Sequence, residues 1–224
     1  MTMPFYVAPE QLVRDKAEFA RKGIARGRSI VAIEYAGGVL LLAENPSRAL
    51  HKISEMYDRI AFAGVGRYNE FETLRKGGIR HADVMGYLYS REDVTAMGLA
   101  TAFSQTLGSI FSHELKPYEV EVLIAELGAN GEEPRLFKVT YDGTLYDERN
   151  FIAIGGKSEA LAEAIRAGYR EGMTLTEAIS LGAAAFRQAE NRESDGWEAA
   201  VLEARNGRRA FRRLSEEELA AAKA

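Results

Sequence analysis

The stretch RSIVAIEYAGGVLLLAEN, residues 28–45, decides the fold. Residues 29–35 are rich in β-branched side chains, and Gly37-Gly38 supplies the positive φ angles of a tight turn. Residues 39–43 are apolar at every position. The stretch therefore reads as a β-hairpin whose second strand is covered on both faces rather than one. Before it, Pro9 suits the first turn of a helix, and Val13, Ala17, Ala20 and Ile24 recur as one helical stripe. Gly27 is the expected stop.

Downstream, residues 59–65 read as a strand ending at Gly66. A helix is expected over 69–90, with Gly77-Gly78 offering a place for a break. A second helix is expected to begin with Asp93 as N-cap, to bury Met97, Ala100, Phe103, Leu107, Ile110 and Phe111, and to stop at Pro117. Strands follow over 118–124, 136–141 and 151–154, with a loop over 128–134 and an Asp142-Gly143 turn. Two more helices come next, the first capped by Ser158 and the second by a Thr174/Glu177 capping box. Residues 188–196 are polar and read as a mobile loop. A last hairpin pairs 197–204 with 208–213 across Asn206-Gly207, and Ser215 with Glu218 opens a short C-terminal helix. Helices thus arrive in pairs between groups of strands. A doubly wound fold would alternate single helices with single strands, so the expected class is α+β, with paired helices outside two stacked sheets. No linker divides the chain and no internal repeat is visible.

Composition narrows the function classes. The chain has 224 residues, 46% hydrophobic and 28% charged, with a net charge of −4 and no cysteine. A basic excess suited to nucleic acid is missing, and disulfides, thiolate metal sites and cysteine nucleophiles are excluded. His51, His81 and His113 have no helical ligand spacing. The longest apolar stretch is too short to cross a bilayer, the first residues do not read as a secretory signal, and a reducing cytoplasmic setting fits the lack of cysteine. No phosphate-binding loop, dinucleotide fingerprint or nucleophile elbow is present. Gly64-Val65-Gly66 reads as a close backbone approach. Charged runs and the Arg212-Arg213 pair read as solvated surface, and no two carboxylates stand out as acid and base.

Glu18-Phe19-Ala20-Arg21, Gly27-Arg28-Ser29 running into the hairpin, and Lys52-Ile53 followed by Tyr57-Asp58-Arg59-Ile60 and Ala63-Gly64-Val65-Gly66 resemble, in that order, the α subunit of the proteasome core particle. The stretches ARKGIARGRS, LAENPSR and KPYEVEV resemble its bacterial form most. The resemblance implies a four-layer αββα sandwich of the N-terminal-nucleophile hydrolase type over residues 9–213. Residues 1–8 would be a gate segment and 214–224 a C-terminal helix or tail. It also implies a seven-membered ring of copies, stacked on rings of proteasome β subunits in a four-ring particle of fourteen α and fourteen β subunits.

In the catalytic β relatives, a threonine freed by self-cleavage stands at the start of the first strand, and its own α-amine is the base. Arg28 holds the matching position here, with Ser29 beside it and a helix in front. The subunit is therefore expected to be non-catalytic, with the threonine-type peptidase activity residing in the β subunits. Glu44 and Lys52 fall where those relatives keep an acid and a lysine. One alternative is cleavage between Arg28 and Ser29, which would make Ser29 an active N-terminal nucleophile. Another is a stand-alone α+β binding protein.

The resemblance further places Lys52 and Gly66 in a pocket that receives the C-terminal carboxylate of a ring-shaped ATPase, and the bacterial likeness suggests substrates marked with the prokaryotic ubiquitin-like protein. Met1, Thr2, Met3, Pro4, Phe5, Tyr6 and Val7 are uncharged and partly aromatic, and are expected to gate the pore. No cofactor is implied. The family's best-described gate uses a Tyr-Asp-Arg cluster and a tyrosine where Phe19 stands, so that hydrogen-bonded arrangement does not carry over. Arg14, Asp15, Glu18, Arg21 and Lys22 form a charged face suited to pairing between copies.

Overall fold

A strand that is apolar at every position needs a cover on each side, and the chain supplies a second sheet on one side and helices on the other. The computed structural model describes residues 8–47, 49–129, 132–194, 196–204 and 209–223. In chain order they form α1 (Pro9–Ala25), β1 (Ile30–Tyr35), β2 (Gly38–Glu44), β3 (Ile53–Tyr57), β4 (Ile60–Gly66), α2 (Tyr68–Leu88), a 3-10 turn (Arg91–Asp93) and α3 (Ala96–His113). Then come β5 (Val120–Glu126), β6 (Arg135–Val139), β7 (Leu145–Glu148), β8 (Phe151–Ile154), α4 (Ser158–Gly168), α5 (Leu175–Glu190), β9 (Trp197–Glu203), β10 (Phe211–Arg213) and α6 (Glu216–Lys223). One antiparallel sheet runs β10-β9-β2-β1-β8 and the other β3-β4-β5-β6-β7.

The period of two along a strand divides the hairpin between two cores. Ile30, Ala32, Val39, Leu41 and Ala43 point inward and meet Ala61, Ala63, Val65, Leu123 and Ala125 of the facing sheet. Val31, Ile33, Leu40 and Leu42 point outward and meet Leu161, Ile165, Ile179 and Phe186 of α4 and α5. Phe62, Val122 and Ile124, on the outer face of the second sheet, meet Phe71, Leu99, Phe103 and Leu107 of α2 and α3. The order of layers is helices, sheet, sheet, helices, the expected αββα sandwich. Among the described residues, no helix is long and apolar enough to cross a membrane.

Helix α1 belongs to neither helical layer. It lies across one end of the sandwich, with Ala20 and Ile24 buried in the inter-sheet core. Val13 is 52% exposed, so the expected stripe is buried only in its C-terminal half, where the helix reaches the sheets. Several other expectations need correction. α2 runs unbroken through Gly77-Gly78, because Gly78 lets α3 approach: a Cβ there would lie 2.5 Å from Phe103. Thr95, not Asp93, caps α3, accepting the Gly98 N–H at 3.2 Å. Met97 is largely exposed, and Leu99 is buried in its place. Lys157 precedes α4 with no side-chain cap, and Ser158 is already helical. Residues 188–190 continue α5, which ends on Asn191 in the left-handed conformation. The capping boxes at Thr174 and Ser215 form as expected. The Asn206-Gly207 turn lies outside the described residues, but its flanking strands pair.

Leu41 is fully buried between the sheets. Leu41→Ala is expected to cost about 2–5 kcal/mol in denaturant unfolding of the chain. Leu12→Ala, on the exposed start of α1, is expected to stay within about 0.5 kcal/mol.

Candidate functional site

One end of the sandwich gathers the start of β1, the ends of β2 and β4, and the starts of β3, β5 and β9, with α1 laid over it. Gly27 carries the chain from α1 into β1 through a gap with no room for a side chain. A Cβ there would stand 2.8 Å from Val65 and 2.9 Å from the Gly66 nitrogen. Arg28 and Ser29 follow directly.

Arg28 turns its guanidinium onto Glu44, Nη1 to Oε1 at 2.7 Å. Glu44 is 2% exposed, and Arg192, from the loop after α5, donates to both of its oxygens at 2.6 and 2.9 Å. A buried carboxylate held by two guanidiniums is a strong, charge-assisted clamp. It also corrects the reading of residues 188–196 as a mobile loop, since Arg192 ties that loop to the end of β2. Lys52 donates its Nζ to the Arg28 carbonyl at 2.7 Å. Burial lowers the Lys52 ammonium to about 8; Glu198 and Glu44 oppose the shift, and Arg28 adds to it.

Ser29 offers neither half of a nucleophile. Its nitrogen is a peptide amide, because Arg28 and α1 precede it. Its hydroxyl is buried and accepts the Lys157 N–H at 3.2 Å. Gly155, at φ +103°, closes over it, with room for a Cβ only 2.9 Å from Oγ.

Lys52 and Gly66 do come to the same end: the Lys52 carbonyl accepts the Gly64 N–H at 3.1 Å, two residues from Gly66. The need for glycine at 66 has a structural cause of its own. It sits at φ +108°, and a Cβ would lie 1.8 Å from the carbonyl oxygen of Glu119, the residue before β5. The expected gate, residues 1–7, lies outside the described residues.

Sequence reasoning passed over Glu198, Asn45 and Arg213. Glu198 is buried at the start of β9 and accepts the Lys52 and Ile53 N–H groups at 2.8 and 3.1 Å. Arg213, expected as solvated surface, donates to Glu198 at 2.9 Å and to the Ile53 carbonyl at 2.7 Å. The one available signal was position: Glu198 stands directly before the apolar run 199–202. A recess of about 1620 Å³ opens at the opposite end of the sheets, beside Tyr35, Tyr57 and Arg91, and neither Lys52 nor Gly66 lines it.

Residues 24–203 match the family model described as proteasome subunit. The chain is 54% identical to the proteasome subunit alpha of Xylanimonas cellulosilytica, over 96% of this chain and 93% of that protein. It is 52% identical to that of Thermomonospora curvata (96% and 94% covered) and 53% identical to that of Acidimicrobium ferrooxidans (98% and 95%).

Glu44→Gln removes the charge from the clamp while leaving Arg28 and Arg192 partly solvated. It is expected to lower stability by about 1–3 kcal/mol, read as a fall in the denaturant midpoint.

Proposed function

The chain belongs to the proteasome subunit family, on its α branch, and from that premise we propose that it builds the non-catalytic, access-controlling ring of a protein-degrading particle and docks a ring-shaped ATPase. One observation carries the non-catalytic reading. At the start of β1, where a nucleophile with a free amine would be needed, the chain holds the Arg28 guanidinium against Glu44 and the Arg28 carbonyl against Lys52. The lysine is thereby engaged by the Arg28 backbone and the acid by its side chain. As an α subunit, the chain assembles with copies of itself and with β subunits that carry the threonine nucleophile. The ring has seven members, and two such rings flank two β rings.

Lys52 is the docking group. It is partly buried, stands on the segment that enters β3, and donates one described hydrogen bond out of three it can make. An incoming C-terminal carboxylate can take the remaining protons in a partly desolvated setting, where such a contact is strong. Residues 1–7, uncharged and partly aromatic, close the pore where the copies meet. Substrates carrying the prokaryotic ubiquitin-like protein arrive through the ATPase.

Lys52→Ala is expected to abolish ATPase-dependent degradation by assembled particles while small-peptide hydrolysis continues. Unchanged ATPase binding by that variant contradicts the assignment. Docking should also depend on pH. With the free ammonium titrating at about 8, its charged fraction falls above that pH, and carboxylate affinity falls with it by up to about tenfold per pH unit. Affinity measured from pH 7 to 9 is expected to show this decline in the native protein and a flat profile in Lys52→Arg. Deletion of residues 1–8 is expected to raise peptide hydrolysis by assembled particles, and no change would show the segment to be inert.

A further inference from the structure

We propose that Glu198 is the positioning residue of the Lys52 site, fixing residues 45–53 so that the Lys52 amine is held ready for a carboxylate. The inference rests on the docking reading of Lys52.

Between β2 and β3, the described residues 45–47 and 49–52 form no strand or helix. Their course is set by side chains instead. Oε2 of Glu198 accepts the Lys52 N–H and the Asn45 Nδ2, each at 2.8 Å. Oε1 accepts the Ile53 N–H at 3.1 Å and the Arg213 Nη1 at 2.9 Å. His51 brings its Nδ1 within 3.4 Å of the same oxygen. Asn45 extends the network, donating to the Leu50 carbonyl at 2.7 Å and accepting the Ser47 N–H at 3.1 Å. One buried carboxylate thus pins the backbone nitrogens of Lys52 and of the next residue, and through Asn45 the start of the same segment.

That arrangement matters because lysine has a long, flexible side chain whose ordering costs about 1–2 kcal/mol. A backbone fixed on both sides of its Cα lowers what remains to be ordered when the ligand arrives. Glu198 does not touch the Nζ atom in any described hydrogen bond; it acts on the main chain that carries it. A glutamine would keep the shape but not the function. Glu198 accepts donors on both oxygens, and an amide turns one of them into a donor facing donors.

The test uses assembled particles and two octapeptides, both copied from the C-terminus of the same organism's proteasome-associated ring ATPase, one with a free carboxylate and one amidated. The readout is the ratio of their affinities, which isolates the carboxylate contact from general effects on stability. The native particle is expected to prefer the free peptide at least about tenfold, and Lys52→Ala to show no preference. Glu198→Gln is expected to cut the ratio by about threefold or more with amidated-peptide binding unchanged. Glu198 also raises the Lys52 pKa, so the ratio is read at pH 6, where the ammonium stays charged with or without it; there, removing a nearby negative charge by itself favours an incoming carboxylate, and a loss reports positioning rather than field. A full ratio in Glu198→Gln, with none in Lys52→Ala, overturns the inference and leaves docking at Lys52 intact. Equal binding of the two peptides by native particles overturns the docking reading and the inference together. Should Glu198→Gln fail to assemble, Glu198→Asp decides: it keeps the charge but draws the carboxylate back from the Lys52 and Ile53 N–H groups, a reduced ratio supports positioning, and a full ratio overturns it.

Discussion

At the start of β1 the Arg28 carbonyl faces the Lys52 ammonium, and the Arg28 guanidinium faces Glu44. Those two contacts set what this end of the sandwich can do. A lysine and a buried acid beside a strand start are the makings of a nucleophile's surroundings, yet both are occupied by a residue that has no nucleophile to offer. The helix in front of Arg28 is part of the same structure, with Ala20 and Ile24 of α1 buried in the core that the strands share. Chemistry is replaced by structure: the lysine holds the Arg28 carbonyl and the acid holds the Arg28 guanidinium.

The two sheets make this end rigid. Alternation along β1 and β2 commits every residue to one of two cores, so the hairpin cannot slip by one position without exchanging them. Polar groups at the strand ends are then fixed by the apolar middle. Glu44 closes β2, Glu198 opens β9, and the register pairs Glu44 with Trp197 and Ala43 with Glu198. Two buried carboxylates therefore stand on opposite faces at one end of the sheet, each paired with arginine: Arg28 and Arg192 for the first, Arg213 for the second.

Much of the fold was legible in the sequence because it is written in apolar periodicity. The all-apolar run at 39–43 required two covers, the paired helices required stacked sheets, and Thr174 with Glu177 required a helix start. β3 and β7 escaped because they are short and mix polar residues such as Ser54, Glu55 and Asp147 into their alternation. The N-cap of α3 was misplaced by two residues because Asp93 and Thr95 are both good caps and only tertiary packing chooses between them. At the site, Lys52, Glu44 and the unreactive start of β1 stood out only through the family resemblance, since residue pattern alone showed no active site. Glu198, Arg192 and Arg213 could not be read, since their partners at Lys52, Glu44 and Ile53 lie 146, 148 and 160 positions away and such pairs leave no local pattern.

The loss of the nucleophile is the claim on which the rest depends, and it is tested most directly on the purified chain, free of any β subunit, by intact mass and hydrolysis of a fluorogenic peptide. An uncleaved Arg28–Ser29 bond and no turnover are expected. Turnover accompanied by a mass that begins at Ser29 would contradict the account.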